Sequence, residues 1–380
     1  MKKTISLIIM VIFAIALLAG CGGGSTPAAS GGGGDASQPA QSGSGGGDEV
    51  YSLNFSFYGP EVVPPSQFIM DTAKVLEEKS NGRLTMDYYF NGTLLGPPDT
   101  ISGCINGTAD IVLAGGTDIG EVFPLNSVYS MPYMTTPPGK SAIDNAYGQL
   151  QVDCPELGEE LAAKGLMWLT VASANGYHLH GATDLYDEPS KVKGRTINGQ
   201  GEGGNIITAL GGNGVSLPVT DIYLSLSTGM LDGALDHFGM LEGFSLKELL
   251  FTHTVFSNSK DLNDGEAMIG GGLYSSPIGC LMNINSFNNL PADLQQLLLD
   301  EFSGFPQFIT AADASYMAPA AIQTCVERGD DFVFVTDAER GPWVDPLTPI
   351  IDAWAARCEA AGYDGMSVYN HLLDLFAKAQ

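Results

Sequence analysis

The side chains with the widest chemical reach here are a few histidines, a set of scattered cysteines and one run of glycines. His178 and His180 stand two apart in Tyr177-His178-Leu179-His180, which puts both imidazoles on one face of a strand. Asp236-His237 offers further ligand types for zinc, which takes three or four N, S or O donors. Two histidines so spaced more often divide into one pocket residue and one packing residue, so the expectation is no metal. Gly199, Gly201 and Gly204 satisfy GxGxxG between an expected strand and an expected helix. Alone that pattern is weak, and its expected use is a tight turn that lets backbone approach a ligand, with no cofactor. Cysteines fall at 21, 104, 154, 280, 325 and 358 without a CxxC pair, which excludes a zinc ribbon or a thioredoxin-like motif. One disulfide and a set of buried thiols both remain open. The rival class is a secreted hydrolase, but GxSxG, HExxH and a cysteine with a linked histidine are all missing.

The elements that must position these groups begin after an export signal. Lys2 and Lys3 precede an apolar run over 5–18 that ends in Leu18-Ala19-Gly20-Cys21. The run is shorter than the roughly 20 residues of a membrane span, and it reads as a signal peptide over 1–20 that leaves Cys21 as a lipidated N-terminus. Residues 21–49 are a Gly/Ser-rich tether too polar to fold. A formal charge of -27, from 43 acidic and 16 basic residues, disfavours nucleic acid as a partner.

From residue 51 short apolar runs alternate with helical patterns, which predicts an α/β fold. The periodicity predicts strands at 53–58, 84–90, 110–114, 166–171, 177–180, 195–198, 215–217, 233–236 and 332–335. Helices are predicted at 67–79, 97–106, 156–164, 205–210, 220–227, 291–302 and 343–361. Phe68, Ile69, Thr72, Ala73 and Leu76 form the inward face of the first helix. Two βα series suggest two lobes with a ligand cleft between them.

The order of motifs resembles the solute receptors of TRAP transporters (DctP type), the tripartite ATP-independent periplasmic systems. The resemblance rests on Asn91-Gly92-Thr93-Leu94-Leu95-Gly96, Asn106-Gly107-Thr108-Ala109-Asp110-Ile111, Phe123-Pro124 with Met131-Pro132-Tyr133, and Val192-Lys193-Gly194-Arg195-Thr196-Ile197-Asn198. Pro218-Val219-Thr220-Asp221-Ile222-Tyr223, followed by Thr228-Gly229-Met230-Leu231-Asp232-Gly233, is its most specific part. It implies a two-lobed periplasmic binding protein-like fold with a long bracing helix, lobe I over 51–175 plus 262–300 and lobe II over 176–261 plus 301–380. It also implies a small organic solute as ligand, integral membrane transporter subunits as partners, and reversible binding without catalysis at the outer face of the cytoplasmic membrane.

Family members grip a ligand carboxylate with an arginine where this chain has Asn198. Arg195, an odd offset away, should face solvent. A second family contact falls on His178 and a third, commonly asparagine, on Asp236. The implied pocket thus loses cations and gains an acid. Tyr58, Phe238, Val219 and Gly116 complete the expected lining. Three readings stay open: a cationic, zwitterionic or polyol-like ligand held by Asp236 and Asn198; a carboxylate held by protonated His178 or by backbone amides over 199–204; or an altered or metal-assisted site.

Overall fold

The computed structural model describes residues 49–120, 122–137 and 139–379. The expected signal peptide, lipidated Cys21 and tether through residue 48 lie outside the described residues. Alternation in the sequence becomes two sheets. Strands β1 (Tyr51–Ser56), β2 (Leu84–Tyr89), β3 (Ile111–Gly115), β4 (Leu166–Gly176), β5 (His178–Gly181), β6 (Thr196–Gly199), β7 (Asn213–Val215), β8 (Gly233–Asp236), β9 (Thr252–Phe256), β10 (Ser275–Asn283) and β11 (Asp331–Val335) divide between them. The first sheet runs β2-β1-β3-β10-β4 and the second β11-β9-β5-β8-β6-β7.

The predicted helix at 67–79 forms as Pro64–Lys79 and buries Phe68, Ile69, Thr72, Ala73 and Leu76 on the first sheet. Its 3.6-residue stripe was fully legible. The predicted strand at 215–217 forms two residues earlier, and the helix predicted at 343–361 is broken into Asp337–Val344, a short 3-10 turn and Thr348–Ala360.

Two strand passages join the lobes. β4 runs into β5 through Gly176 and Tyr177, and β9 leads to β10 through residues 257–274. There the chains touch: a Cβ on Gly176 would stand 1.8 Å from the Gly271 carbonyl oxygen, and Gly272 takes φ +98°. Only glycine fits both demands. Arg340, buried, ties this joint together by donating to the Tyr133 and Gly272 carbonyl oxygens at 2.9 and 2.6 Å.

The bracing helix consists of Phe305–Ala312, a π-turn at Asp313–Met317 and Ala318–Arg328. Phe305 and Ile309 enter the first core, while Ala318, Ala321 and Ile322 enter the second. The stretch 301–380, expected as one piece of lobe II, therefore distributes over both cores. Trp354, Tyr369 and Phe376 also pack with Tyr147 and with Val171 of β4. Among the described residues no helix is long and apolar enough to cross a membrane, and Cys104, Cys154, Cys280, Cys325 and Cys358 are free, buried thiols.

Candidate functional site

The parallel strands β1, β3, β6 and β7 end at the gap between the sheets, and their turns line it. Ligands in open α/β sheets collect at the carboxyl ends of strands. A cavity of about 460 Å³ is bounded by Tyr58 after β1, Thr117 and Asp118 after β3, Gln200 after β6, and Ser216 to Val219 after β7. A second, of about 730 Å³, shares Thr117 and Ser216 and adds Gly116, Ser130, Gly201, Glu202 and Arg357. The Gly201 N–H donates to Thr117 Oγ1 at 3.3 Å, and Arg357 bonds Glu202 at 2.7 Å, so two polar links cross the gap.

Asp118 is the acid of the smaller cavity. Its carboxylate accepts from the Gly115 N–H at 2.8 Å and from the Tyr58 hydroxyl at 3.2 Å. Burial pushes its pKa up to about 6 against those two bonds. Burial, together with the Asp118 carboxylate beside it, raises the Tyr58 phenol well above its ordinary value.

Of the expected lining residues, Tyr58, Val219 and Gly116 border these cavities. Gly116 has no room for a side chain, because a Cβ there would lie 2.3 Å from Ser276 Oγ and 2.8 Å from Ser130 Oγ. Asn198, His178 and Asp236 do converge, but on the face of the second sheet behind the cavities. β5 pairs with β8 so that His178 opposes Asp236, and β8 with β6 so that Asn198 opposes Ala234. All three are fully buried. Phe238 packs against the His178 and His180 rings, at 5.4 and 5.1 Å, and does not line the cavities described.

His178 is held by main chain on both sides. Its Nε2 lies 3.0 Å from the Met268 carbonyl oxygen and so carries the hydrogen, while Nδ1 accepts from the Phe256 N–H at 3.2 Å. Burial lowers its pKa to about 4. Both His178 nitrogens thus already have main-chain partners, and those of His180 meet His253 and the Asp236 carbonyl oxygen. Asn198 spends Oδ1 on the Leu217 N–H at 2.9 Å and leaves Nδ2 without a partner. Asp236 spends Oδ1 on the His237 N–H and leaves Oδ2 without a partner, and burial raises its pKa to about 7. Arg195 is partly exposed and pairs with Asp184 at 3.0 Å, as its strand offset predicts.

Sequence reasoning passed over Asp118, Ser216 and Arg357. It also passed over a polar knot beside the bracing helix, where Asn175 donates to Asp313 at 2.8 Å and lies 3.1 Å from His237 Nδ1. The available signal for Asp118 was its place four residues beyond an expected strand, inside a Gly-Gly-Thr-Asp turn.

Residues 60–357 match the family described as bacterial extracellular solute-binding protein, family 7 (DctP). A solute-binding protein of Chromohalobacter salexigens is 26% identical over 194 residues, 49% of this chain and 56% of that protein, so the match spans little more than half of that relative's length. The 2,3-diketo-L-gulonate-binding periplasmic protein YiaO of Escherichia coli is 21% identical over 72% of this chain and 77% of its own length. In fold, the chain is similar to a TRAP solute-binding protein of Rhodoferax ferrireducens solved with benzoate. There the TM-score is 0.73 at 19% identity, over 87% of this chain and 98% of that one. A Chromohalobacter salexigens TRAP protein with bound D-glucuronate gives 0.70 at 18%, over 87% and 100%.

Proposed function

We propose, from the premise that this chain belongs to family 7 of the bacterial extracellular solute-binding proteins, that it is a TRAP-type receptor whose cleft takes a neutral or cationic solute bearing hydroxyl or amino groups. The observation that carries the ligand class is the charge of the lining. Among the described residues around the two cavities the only cation is Arg357, already bonded to Glu202, while Asp118 stands in the wall. A carboxylate would enter a field with no free guanidinium to grip it, whereas an ammonium or hydroxyl finds Asp118, Ser130 and Ser216. Binding proceeds by lobe closure without turnover, the two polar links across the gap favouring the closed state.

The proposal extends to the carrier. Lipidation of Cys21 and a tether through residue 49 would hold the receptor at the membrane, where integral transporter subunits accept the solute. The relatives named with benzoate, D-glucuronate and 2,3-diketo-L-gulonate handle acids, and an acid is the outcome that sinks this reading. A thermal-shift screen of amines, polyols and carboxylates tests it. The expected hits are amines or polyols, weakened about tenfold or more by Asp118→Asn and left chemically unchanged on incubation. A plain carboxylate as the only strong hit refutes the ligand class.

A further inference from the structure

The smaller cleft cavity sets one acid beside a long apolar wall. From the first lobe it is lined by Pro97, Pro98, Ile101 and Ile105, and from the second by Leu217 and Val219. Ile101 and Ile105 stand four apart on the helix Thr100–Ile105, so one helix face carries both to the cavity. Ile101 belongs to the core beneath that helix and Val219 to the core of the facing lobe, against which Leu217 also packs. Each core thus comes to the surface at this gap. Pro97 and Pro98 have no N–H, so their turn offers a solute no backbone donor.

The polar groups of this cavity are mostly spent. The Ser102 hydroxyl donates to the Asp99 carbonyl oxygen at 3.3 Å, and Thr117 Oγ1 accepts the Gly201 N–H. Asp118 differs. Both of its bonds, from the Gly115 N–H and the Tyr58 hydroxyl, land on Oδ2, and Oδ1 takes none from the described residues. No Lys, Arg or His among the described residues pairs with it. A polyol brings many hydroxyls, each of which must exchange a bond to water for one to the wall, and this wall returns few. An apolar body has only to leave water, which two facing apolar walls favour. The volume of about 460 Å³ suits a small molecule. The larger cavity, edged by Ser127, Ser130, Asn205 and the Glu202–Arg357 pair, has no such wall.

We propose that the solute is an amine with an apolar body of ring size, its ammonium on Asp118 Oδ1 and its body between the helix Thr100–Ile105 and residues 217–219. This rests on the reading of the cleft as a site for neutral or cationic solutes and narrows it, since polyols then fall outside. The Tyr58 hydroxyl and the Gly115 N–H fix the carboxylate by Oδ2, so Oδ1 meets the ammonium without a competing donor. Closure brings both apolar walls onto the body, which makes the body part of what shuts the cleft.

The test is calorimetry on the full chain with phenethylamine, ethanolamine, sorbitol and hydrocinnamate. Phenethylamine should bind at least about tenfold tighter than ethanolamine, which has the same ammonium without the ring, and with the more negative heat-capacity change. Asp118→Asn should weaken phenethylamine about tenfold or more. Val219→Thr, which sets a hydroxyl in the apolar wall, should weaken it about threefold or more and leave ethanolamine unchanged. If ethanolamine or sorbitol binds as tightly as phenethylamine, the apolar body is refuted while the cleft's preference for neutral or cationic solutes stands. If hydrocinnamate binds tightest, both fall. Binding by none of these probes also refutes the inference. Should Val219→Thr not fold, the comparison of probes on the parent protein decides alone.

Discussion

The turns at the gap between the sheets and the strand face behind them treat polar side chains in opposite ways. At the turns after β1, β3, β6 and β7, Tyr58, Asp118, Gln200 and Ser216 border open space. On the strand face behind them, His178, His180 and His253 are fully buried, and two of the three rings spend a nitrogen on a backbone group. A strand face must fill a packed layer, so its polar groups are satisfied internally. Turns carry no such duty, and their side chains stay available to a solute. Asp236 and Asn198 sit on the boundary, each with one atom satisfied and one not.

The largest expected effect tests that boundary. Burial raises the Asp236 pKa to about 7 in the folded chain, above its unfolded value of about 3.9. The folded state therefore holds the extra proton between those values. The stability this group contributes is full below the lower value and is lost as pH rises toward about 7. Asp236→Asn keeps the shape and removes the charge, so it should stabilise the solute-free protein at pH 8 by on the order of 4 kcal/mol and scarcely at pH 4, read from urea midpoints. Equal effects at both pH values would mean that the charge has a partner, and Asp236 would then belong with the satisfied histidines.

The next effect probes the open side. Gly116→Ala sets a methyl against Ser276 Oγ and Ser130 Oγ and should destabilise by about 2 kcal/mol, the cost of overpacking. It should also weaken solute binding, since Ser130 borders the cleft. Unchanged stability would show that this wall yields more readily than a packed layer.

How much of this could be read from the residues depends on range. The helix Pro64–Lys79 announced itself because its period lies within one segment, and strand alternation turned Arg195 toward solvent, away from Asn198. What held His178 could not be read, since Met268 and Phe256 lie 90 and 78 residues away. Arg357 reaches the cleft on a helix from near the chain's far end. The bracing helix was placed nowhere in advance because Pro306 and Pro319 look like breaks. The structure seats both near helix starts, with a π-turn over Asp313–Met317 immediately before the segment that contains Pro319. π-turns are a recognised way to accommodate such an interruption.

The smallest effects sharpen the comparison most, because they should separate cleanly. His178→Gln removes a ring that joins the Met268 carbonyl to the Phe256 N–H, and it should cost about 1 to 2 kcal/mol of stability with solute affinity unchanged. Tyr58→Phe removes only the hydroxyl that donates to Asp118. It should leave the urea midpoint nearly untouched and change solute affinity by about 1 kcal/mol, because the Asp118 carboxylate then loses one of the two bonds that oppose its elevated pKa. Denaturation and calorimetry on both variants give four numbers. If His178→Gln weakens the solute as much as Tyr58→Phe does, the strand face reaches the ligand after all, and the division between packed face and open turn gives way to one continuous site.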